Sequence, residues 1–459
     1  MSEFTSITND EAAAAAAASA HEATNGGTQL TKQAMELLLK KNKILAGIEQ
    51  KKRMDEAMAN MQLANSSSKV HKFWDTQPVP KKGATIDESD CGPIEPNQPL
   101  ADLRQEPYPM PAGFEWSSLD INDPEQLDEL YVLLNENYVE DDDNMFRFDY
   151  SKDFLMWALT PPKYNPELHV GVRSQKSKKL MAVITGVPAT MRVIDKRVEM
   201  VEINFLCVHK KLRSKRLAPV LIKEVTRRVN CSGVFQAVYT AGVELPKPIG
   251  VARYYHRSLN PKKLVEVGFS RKPHERMTWA RVNKRFAVPE ETSTPGLRTM
   301  QEKDIPGATR LLVKYLKKFK VAPLMSEDDV RHWILPRSGV VNAYVSTNKD
   351  GEVNNLCSFY HLPSSVMKCK LHSTLNAAYS YYNVAGEPDV VTLTDLMKDC
   401  LTKAKHEEDQ DVFNALNLME NEEFLEPLLF GKGDGNLHYY LYNWKVPSMK
   451  SGDIGLVLL

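Results

Sequence analysis

Residues 201–230 constrain the fold of this 459-residue chain more than any other segment. Residues 201–208 are mostly apolar and rich in β-branched side chains, which predicts a buried strand. Residues 210–216 hold five lysines and arginines, and residues 218–229 then place apolar side chains at helical spacing. This order brings the free N–H groups of a helix N-terminus beside several cations, among them Arg213 and Lys215. The segment therefore predicts a site for a phosphorylated ligand at a sheet edge.

The residues alone leave other interpretations of this segment open. The basic run is also compatible with a nuclear-localisation patch, an RNA contact or a solvated surface. Cys207 and His209 stand two positions apart and share one strand face, which would allow a cysteine nucleophile. Because no third orienting group is evident, we expect a buried thiol beside a strand-end histidine instead.

The composition is that of a globular protein without a dominant charge. Fifty-nine basic residues balance 59 acidic ones, so no global field draws the chain onto nucleic acid or an anionic membrane. The first residues lack a signal-peptide pattern, and no run approaches the ~18 apolar residues of a membrane span. Six cysteines without a Cys-x-x-Cys pair predict reduced thiols, a cytosolic location and no structural zinc site.

The N-terminal 68 residues differ from the rest of the chain. Seven consecutive alanines lie in a low-complexity stretch, at residues 12–18. Residues 31–65 then show helical spacing of apolar side chains, with seven lysines and arginines between residues 32 and 53. This pattern predicts either a helix that docks on an acidic partner such as a ribosome or a solvated helix. We expect residues 1–68 to form a largely flexible extension.

Helical and extended patterns alternate from residue 116 onward, and the second half follows the first half's order of elements. Helices are predicted at residues 124–138, 152–159, 218–229, 305–315, 327–333 and 391–405. Strands are predicted at residues 168–172, 180–187, 198–208, 233–239, 340–346 and 355–361. The order permits a duplicated α+β architecture, although no repeat is visible in the residues themselves.

Two further segments have unusual compositions. Residues 140–143 are four consecutive acids flanked by aromatic residues, which favours a solvated loop or a rim for a cationic peptide. No second cluster at ligand spacing supports a metal site there. Residues 454–459 are uncharged in their side chains and almost wholly apolar, which is rare for an exposed tail. We expect this tail to be buried and to carry its terminal carboxylate inward, the alternative being a frayed end.

Taken whole, residues 202–219 resemble the signature of the eukaryotic N-myristoyltransferases, also called glycylpeptide N-tetradecanoyltransferases. Other segments resemble motifs of the same family in the same order, namely residues 71–79, 138–148, 239–242, 253–261 and 433–436. The resemblance extends over about residues 70–459. Chance does not produce several long matches in the right order.

The resemblance implies an α+β fold of two fused GNAT-like (acyl-CoA N-acyltransferase) halves with pseudo-twofold symmetry around a mixed, curved β-sheet. We expect an N-terminal half at residues 69–285 that binds acyl-CoA. A C-terminal half at residues 286–459 would supply much of the peptide groove and the C-terminal carboxylate. The implied reaction transfers a myristoyl (tetradecanoyl) group from myristoyl-CoA to the N-terminal glycine of a peptide, without a metal or a permanently bound cofactor.

Residue roles follow from the same resemblance. The implied catalytic groups are the backbone N–H groups of Phe205 and Leu206 as an oxyanion hole, the carboxylate of Leu459 as base, and Asn204 and Thr240 as orienting residues for the amine. The implied myristoyl-CoA contacts are Lys72, Phe73, Trp74, Phe205, Leu206, Val208, Arg213, Ser214, Lys215, Arg216, Leu217, Ala218 and Pro219. The implied peptide contacts are Tyr138, Asp141, Asp142, Asp143, Phe146, Phe148, Gly242, Tyr254, His256, Ser358 and Asp434.

The chain also departs from the family pattern. His71 stands where an aromatic residue is expected, and His438 stands where glutamine is more usual. The long lysine run that some members use for ribosome association is missing, so residues 32–53 are the remaining candidate for that contact. We expect a cytosolic monomer without a specific nucleic acid, with ribosome or membrane association left open. Competing hypotheses are an acetyltransferase that uses acetyl-CoA and a ribosome- or nucleic-acid-binding module that uses residues 210–216.

Overall fold

A computed structural model describes residues 72–81, 83–139, 145–274, 276–387 and 389–459. The predicted basic helix within residues 31–65 and the acidic residues 140–143 lie outside this part of the chain. The same holds for His71.

Helices and strands alternate along the described residues much as predicted. The strands are β1 (Phe114–Ser118), β2 (Phe146–Phe148), β3 (His169–Ser174), β4 (Leu180–Val193), β5 (Lys196–Val208), β6 (Ala237–Ala241), β7 (Gly250–Ser258), β8 (Arg298–Thr299), β9 (Val321–Pro323), β10 (Val341–Thr347), β11 (Val353–His361), β12 (Ser364–Val366), β13 (Thr374–Leu375), β14 (Ala377–Ser380), β15 (Val384–Ala385), β16 (Val412–Leu416) and β17 (Gly431–Tyr442). The α-helices are α1 (Pro124–Asn137), α2 (Lys152–Leu159), α3 (Leu217–Cys231), α4 (Pro261–Glu266), α5 (Trp279–Phe286), α6 (Ile305–Leu316), α7 (Glu327–Trp333), α8 (Leu393–His406) and α9 (Glu422–Leu425). The strand predicted to begin at residue 233 begins only at Ala237, and β4 runs six residues beyond its predicted end at residue 187.

Local sequence accounts for the ends of the helices that border the site. The Asp123 side chain accepts a hydrogen bond from the Glu125 N–H, and Pro124 follows at the first helical position of α1. At the other end of the helix, the buried Asn137 side chain donates to the carbonyl oxygen of Leu133. The leucines of α1 face the core, which fixes the helix against β4 and β5.

Fourteen strands form one mixed sheet in the order β1-β3-β4-β5-β6-β17-β7-β16-β14-β11-β10-β8, with β9 added to β4 and β15 to β11. Each end of this path has four antiparallel strands followed by a parallel fifth. In the first half β1-β3-β4-β5 are antiparallel and β6 is parallel to β5. In the second half β8-β10-β11-β14 are antiparallel and β16 is parallel to β14. The α+β expectation of two related halves is therefore confirmed in the strand order.

The two halves exchange their last strands at the centre of the sheet. β17 lies beside β6 of the first half, and β7 lies beside β16 of the second half. β7 and β17 also pair with each other. Because of this exchange the halves share one sheet, and the division at residue 285 remains a prediction.

The C-terminal tail belongs to the largest hydrophobic cluster, which takes side chains from both halves. Ile454, Leu456 and Leu458 are buried, with 0%, 4% and 6% of their surface exposed. Burial of an aliphatic side chain of this size contributes about 1.5–3 kcal/mol. The predicted burial of the tail is confirmed, and its last residue is held in a fixed place.

Candidate active site

β5 and β6 diverge after a short parallel contact. They pair only at two positions, Val201 with Ala237 and Glu202 with Val238. A cavity of about 190 Å³ lies between the diverging strands and α3. Its wall is mostly apolar, with side chains that include Ile203, Leu206, Ile222, Val225 and Phe235. This slot suits a long apolar group better than a polar one.

A β-bulge on β5 borders this cavity. Phe205 and Leu206 together oppose the single residue Ile184 of β4. Phe205 has a φ of 49°, in the left-handed region that residues other than glycine seldom adopt. Its buried ring packs against Tyr138 and Tyr150, with ring centroids 5.9 and 5.1 Å away. A bulge re-aims the backbone of its strand, and this one is held in place by aromatic packing.

Leu459, the last residue of the sequence, is tied to this bulge by the side chain of Asn204. Nδ2 of Asn204 donates a hydrogen bond to the backbone oxygen of Leu459 at 2.6 Å. Oδ1 of the same amide accepts from the N–H of Phe205 at 2.9 Å. Two positions before the end of the tail, the Val457 N–H donates to the hydroxyl of Tyr382 at 3.3 Å. Four of the five predicted catalytic residues thus lie within one short stretch of structure.

The fifth predicted catalytic residue, Thr240, faces the same cavity from β6. Asn204 and Thr240 both line the cavity between the diverging strands. Leu459 instead lines a second cavity of about 950 Å³, together with Glu202 and Tyr382. The hydrogen bond between Asn204 and Leu459 therefore links the walls of the two cavities.

Glu202 is the unusual side chain in the wall of the second cavity. Burial raises the pKa of its carboxyl to about 8, since desolvation disfavours the charged form. Tyr381 and Tyr382 lie close enough for the Glu202 charge to raise their pKa values further. Glu202 was not among the predicted site residues, because a single acid in an apolar strand carries no spacing signal.

The predicted phosphate-binding segment is a short 3-10 helix, Lys210–Lys215, followed directly by α3. Asn137 at the end of α1 anchors it, because its side-chain oxygen accepts from the Lys210 N–H at 3.0 Å and its carbonyl accepts from Arg213 at 2.6 Å. Arg216 has a φ of 56°, in the left-handed region that glycine adopts most readily. Sequence reasoning missed Asn137, since nothing local distinguishes it from any helix-end asparagine.

The residues of the predicted phosphate-binding segment differ in how exposed their side chains are, and therefore in how they could contact a ligand. Arg213, Ser214, Lys215 and Arg216 are exposed at the surface. Leu217 is buried, so only its backbone N–H can reach a ligand. Among the remaining predicted contacts, Ala218 and Val208 are partly buried and Pro219 has no N–H to offer.

The structure supports a core role for Cys207. Burial raises the pKa of its thiol to about 12, which keeps it protonated near neutral pH. Its sulfur lies 4.0 Å from the carbonyl oxygen of Leu133. His209 caps the 3-10 helix instead, since its Nδ1 accepts from the Lys211 N–H at 3.2 Å. The expected buried thiol is confirmed, and a cysteine nucleophile is not supported.

Trp74 lines the cavity between β5 and β6 and stacks with other aromatic rings. Its ring stacks on Tyr239 at 5.8 Å, and Tyr239 stacks on Tyr440 at 4.9 Å. Phe73 packs edge-on against Trp74 at 5.3 Å, and Lys72 is exposed beside them. The N-terminal motif therefore packs against β6. Trp74 and Tyr239 are 165 positions apart in the sequence.

The predicted peptide-binding aromatics converge on two residues that sequence reasoning missed. Phe146 and His256 both pack on Phe269, with ring centroids 5.8 and 5.3 Å away. Phe148 packs on Tyr379 at 6.5 Å. β2 is held in place by pairing with β12. Tyr379 and Phe269 lie in segments without a motif, so the sequence offered no signal for them.

His256 is held in one orientation by its neighbours. Its Nδ1 lies 2.6 Å from the side-chain oxygen of Asn414. Desolvation lowers the pKa of His256, although Asn414 and the charge of Asp434 act in the opposite direction. A Cβ at Gly433 would stand 2.4 Å from Nε2 of His256, so only glycine permits this packing. Asp434 is exposed on the bulge of β17 that follows.

The remaining predicted peptide contacts have different outcomes. Tyr254 is partly buried, and desolvation raises its pKa to about 12. Gly242 is exposed just after β6, and Asp141, Asp142 and Asp143 lie outside the described residues.

Ser358 requires a correction. It is fully buried; its hydroxyl donates to the Tyr382 carbonyl at 2.7 Å and accepts from the Tyr382 N–H at 3.0 Å. Its backbone N–H donates to Asn383. Because these groups are already bonded inside the core, the structure does not bring Ser358 to the groove.

No group of three or more histidines, cysteines, aspartates or glutamates in the described residues is arranged to hold a metal ion. Among the helices in the described ranges, none combines the length and apolar character needed to span a bilayer.

Comparisons with known proteins agree over nearly all of the described chain. The family model "Myristoyl-CoA:protein N-myristoyltransferase, N-terminal domain" matches residues 93–252, and the corresponding C-terminal domain matches residues 266–457. Glycylpeptide N-tetradecanoyltransferase 2 of Danio rerio is 55% identical over 388 residues, which are 84% of this chain and 77% of that protein. Glycylpeptide N-tetradecanoyltransferase 1 of Arabidopsis thaliana is 53% identical over 412 residues, 88% of this chain and 93% of that protein. The crystal structure of Saccharomyces cerevisiae N-myristoyltransferase with bound myristoyl-CoA matches with a TM-score of 0.81 at 38% identity, covering 85% of this chain and 100% of that one.

Proposed function

Because this chain belongs to the myristoyl-CoA:protein N-myristoyltransferase family, we propose that it transfers a tetradecanoyl group from myristoyl-CoA to the N-terminal glycine amine of peptides. The observation that carries this proposal is the hydrogen bond between Asn204 and the backbone oxygen of Leu459. In this proposal the oxygen belongs to the terminal carboxylate, which lies beside the β-bulge and can act as a base for the amine. The chain is accordingly an acyltransferase.

The donor is held at both ends of its CoA group. Arg213, Lys215 and Arg216 are exposed around the first turn of α3, where they would bind phosphate groups together with backbone N–H groups. Phe73 and Trp74 would cover the nucleotide end. The apolar cavity between β5 and β6 would take the acyl chain, since each buried CH₂ contributes about 0.8 kcal/mol.

The thioester carbonyl would lie against the bulge. The N–H groups of Phe205 and Leu206 would stabilise the oxyanion of the tetrahedral intermediate, which is worth about 2.7–4 kcal/mol for one such donor. The Phe205 N–H donates to Asn204, so it would be shared with the thioester oxygen when the donor binds. No protein nucleophile is needed for this route.

The amine must be neutral before it attacks. An α-amino group has a pKa of about 8, so the Leu459 carboxylate would take its proton at neutral pH. Asn204 and Thr240 would orient the amine toward the carbonyl carbon. The C–N bond then forms, the intermediate loses a second proton, and the C–S bond breaks. The leaving CoA thiolate takes up a proton, and the products are the tetradecanoyl peptide and free CoA.

The peptide would lie along the aromatic residues around β2 and β7. Tyr138, Phe146, Phe148, Tyr254 and His256 would line its path. The exposed carboxylate of Asp434 would attract a cationic side chain further along the peptide, and residues 141–143 and Gly242 would border the groove. Ser358 has no part in this proposal.

The organisation of the chain is also proposed on this basis. Residues 69–285 would form the donor-binding half and residues 286–459 the half that supplies much of the groove. We further propose that the protein is a cytosolic monomer and that residues 32–53 are its candidate ribosome contact. Size-exclusion chromatography with light scattering and co-sedimentation with ribosomes test these two points.

Mass spectrometry of a Gly-initiated peptide incubated with the protein and myristoyl-CoA tests the function. We expect a mass gain of one tetradecanoyl group, and no gain for the same peptide with an acetylated N-terminus. A parallel reaction with acetyl-CoA tests the acetyltransferase alternative, which would be favoured by a faster reaction with acetyl-CoA. Absence of any tetradecanoyl product would overturn the proposal.

A further inference from the structure

Positive charge is concentrated on one surface beside the predicted peptide groove. Its exposed cations come from α4, from the segment through α5 and from the turn between β12 and β13, and we call this surface the basic face. The members are Lys262, Arg271, Arg276, Arg281, Lys284, Arg285, Lys368 and Lys370. Within the described parts of residues 261–286 and 367–373, Glu266 is the only carboxylate residue. The whole chain carries no net charge, so this surface is a strong local exception.

The three segments are in contact and form one surface. His372 of the β12–β13 turn lies 2.8 Å from the carboxylate of Glu266 on α4, and Cys369 donates to the carbonyl of the same residue at 3.7 Å. α4 also packs against α5. The segments that carry these cations are therefore neighbours in the fold.

Five of these cations have no ion-pair partner among the residues that the structure describes. Arg271, Arg276, Arg281, Lys284 and Lys370 make no ion pair with any residue that the structure describes. Lys262 pairs with Glu266, at 3.7 Å. A surface of this kind gains free energy from an anionic partner and loses it as salt is added.

Two aliphatic side chains protrude from the same turn. Met367 is 49% exposed and Leu371 is 75% exposed, and they flank Lys368 and Lys370. Aliphatic residues interleaved with lysines fit the interface of a bilayer, where the chains reach the acyl boundary and the amines reach phosphates. Single-stranded RNA is bound by exposed aromatic rings instead, and the large hydrophobic residues that are exposed on this turn are aliphatic.

We propose that the basic face docks the protein on an anionic lipid bilayer, with Met367 and Leu371 in the headgroup region. Phe269, which packs on the groove residues Phe146 and His256, lies two positions before Arg271. The face therefore borders the predicted groove. If the proposed function holds, the acylated product leaves beside the membrane. A single tetradecanoyl chain binds membranes only marginally, so release at the surface would aid its transfer.

Co-sedimentation of the full chain with lipid vesicles, without acyl-CoA or peptide, tests the docking independently of the reaction. We expect binding to phosphatidylcholine vesicles that contain phosphatidylserine, weak binding to phosphatidylcholine alone, and release by salt. The variant Arg281→Gln/Lys284→Gln/Lys370→Gln should lower the partition coefficient about 100-fold, since each cation near such a surface contributes about a fivefold factor. Leu371→Ser should lower it several-fold, and neither variant should change turnover of a soluble peptide.

A matched control removes the same charge elsewhere. Lys303→Gln/Lys314→Gln/Lys349→Gln changes three exposed lysines in or near α6 and the β10–β11 turn, outside the basic face. It should leave vesicle binding unchanged within about twofold, because the surviving cations of the basic face still contact the lipid. An equal loss in both variants, or full binding after removal of the basic-face cations, would overturn the proposal. So would binding of an RNA oligonucleotide by this face with no binding of the vesicles.

Discussion

Replacing Asn204 with alanine removes a side chain that joins Leu459 to the bulge. The amide donates to the Leu459 oxygen at 2.6 Å and accepts from the Phe205 N–H at 2.9 Å. Asn204→Ala deletes both hydrogen bonds but leaves the apolar walls of the cavity in place. The variant should therefore affect the position of the base far more than the binding of the donor.

The expected magnitude follows from these two contacts. A hydrogen bond to a charged group contributes about 1.5–3 kcal/mol. If the contact orients the Leu459 carboxylate in the transition state, its loss lowers kcat about 10–150-fold, since each 1.36 kcal/mol is a factor of ten. The dissociation constant of myristoyl-CoA should change less than about threefold, because the substitution keeps the proposed phosphate contacts and the apolar side chains that line the cavity.

Single-turnover kinetics separates these quantities. Saturating donor-bound protein is mixed with a Gly-initiated peptide, and the rate of the first acyl transfer is measured by quenched flow. Donor affinity is measured separately by titration calorimetry. Asn204→Asp serves as a companion variant, since it keeps the shape but sets a second carboxylate against the first, and it should be at least as slow. A first-turnover rate within twofold of the unmodified protein for Asn204→Ala would refute this reasoning.

Three further predictions follow from the site and the tail. Lauroyl-CoA has two CH₂ groups fewer than myristoyl-CoA and should bind about 15-fold more weakly. The reason is a loss of about 1.6 kcal/mol of burial free energy in the cavity between β5 and β6. Equal dissociation constants by calorimetry would mean that the acyl chain lies elsewhere. Burial raises the pKa of Glu202 to about 8, so the folded protein retains this proton where the unfolded chain has lost it. Stability should therefore fall as pH rises from about 4.5 to 8, and Glu202→Gln should show a smaller fall of the urea midpoint over this range; identical pH profiles would contradict the assignment. Gly455→Ala would set a Cβ 2.7 Å from the ring of Phe319, which should displace the tail. We expect kcat to fall at least tenfold while circular dichroism shows the fold retained. Full activity would show that the tail tolerates the shift.

Features of the fold that depend only on contiguous residues could be predicted from the sequence. The apolar tail is buried, and the strand, basic turn and helix of residues 201–230 have the expected order. Both predictions depend only on local periodicity and on the cost of exposing apolar surface. The aromatic motif at Phe73 and Trp74 was found through family resemblance, although its stacking partner Tyr239 lies far along the chain.

Features that depend on distant pairing were not predictable. The exchange of β7 and β17 between the halves does not change the periodicity of apolar residues in either strand. The expectation for Ser358 failed because nearly all residues of β11 are buried on both faces, so alternation does not reveal which side faces the groove. The sequence also does not predict the bulge at Phe205 or the left-handed turn at Arg216, because neither position carries the glycine that would indicate a positive φ.

The terminal carboxylate of Leu459 is the base in the proposed mechanism. Deleting Leu459 moves the new carboxylate back by one residue, about 3.5 Å along the tail, away from the position that Asn204 contacts. General-base catalysis contributes about 10²–10⁴-fold, so the first-turnover rate of the deletion variant should fall at least 100-fold with myristoyl-CoA affinity retained. A first-turnover rate equal to that of the full chain would contradict the assignment of the base.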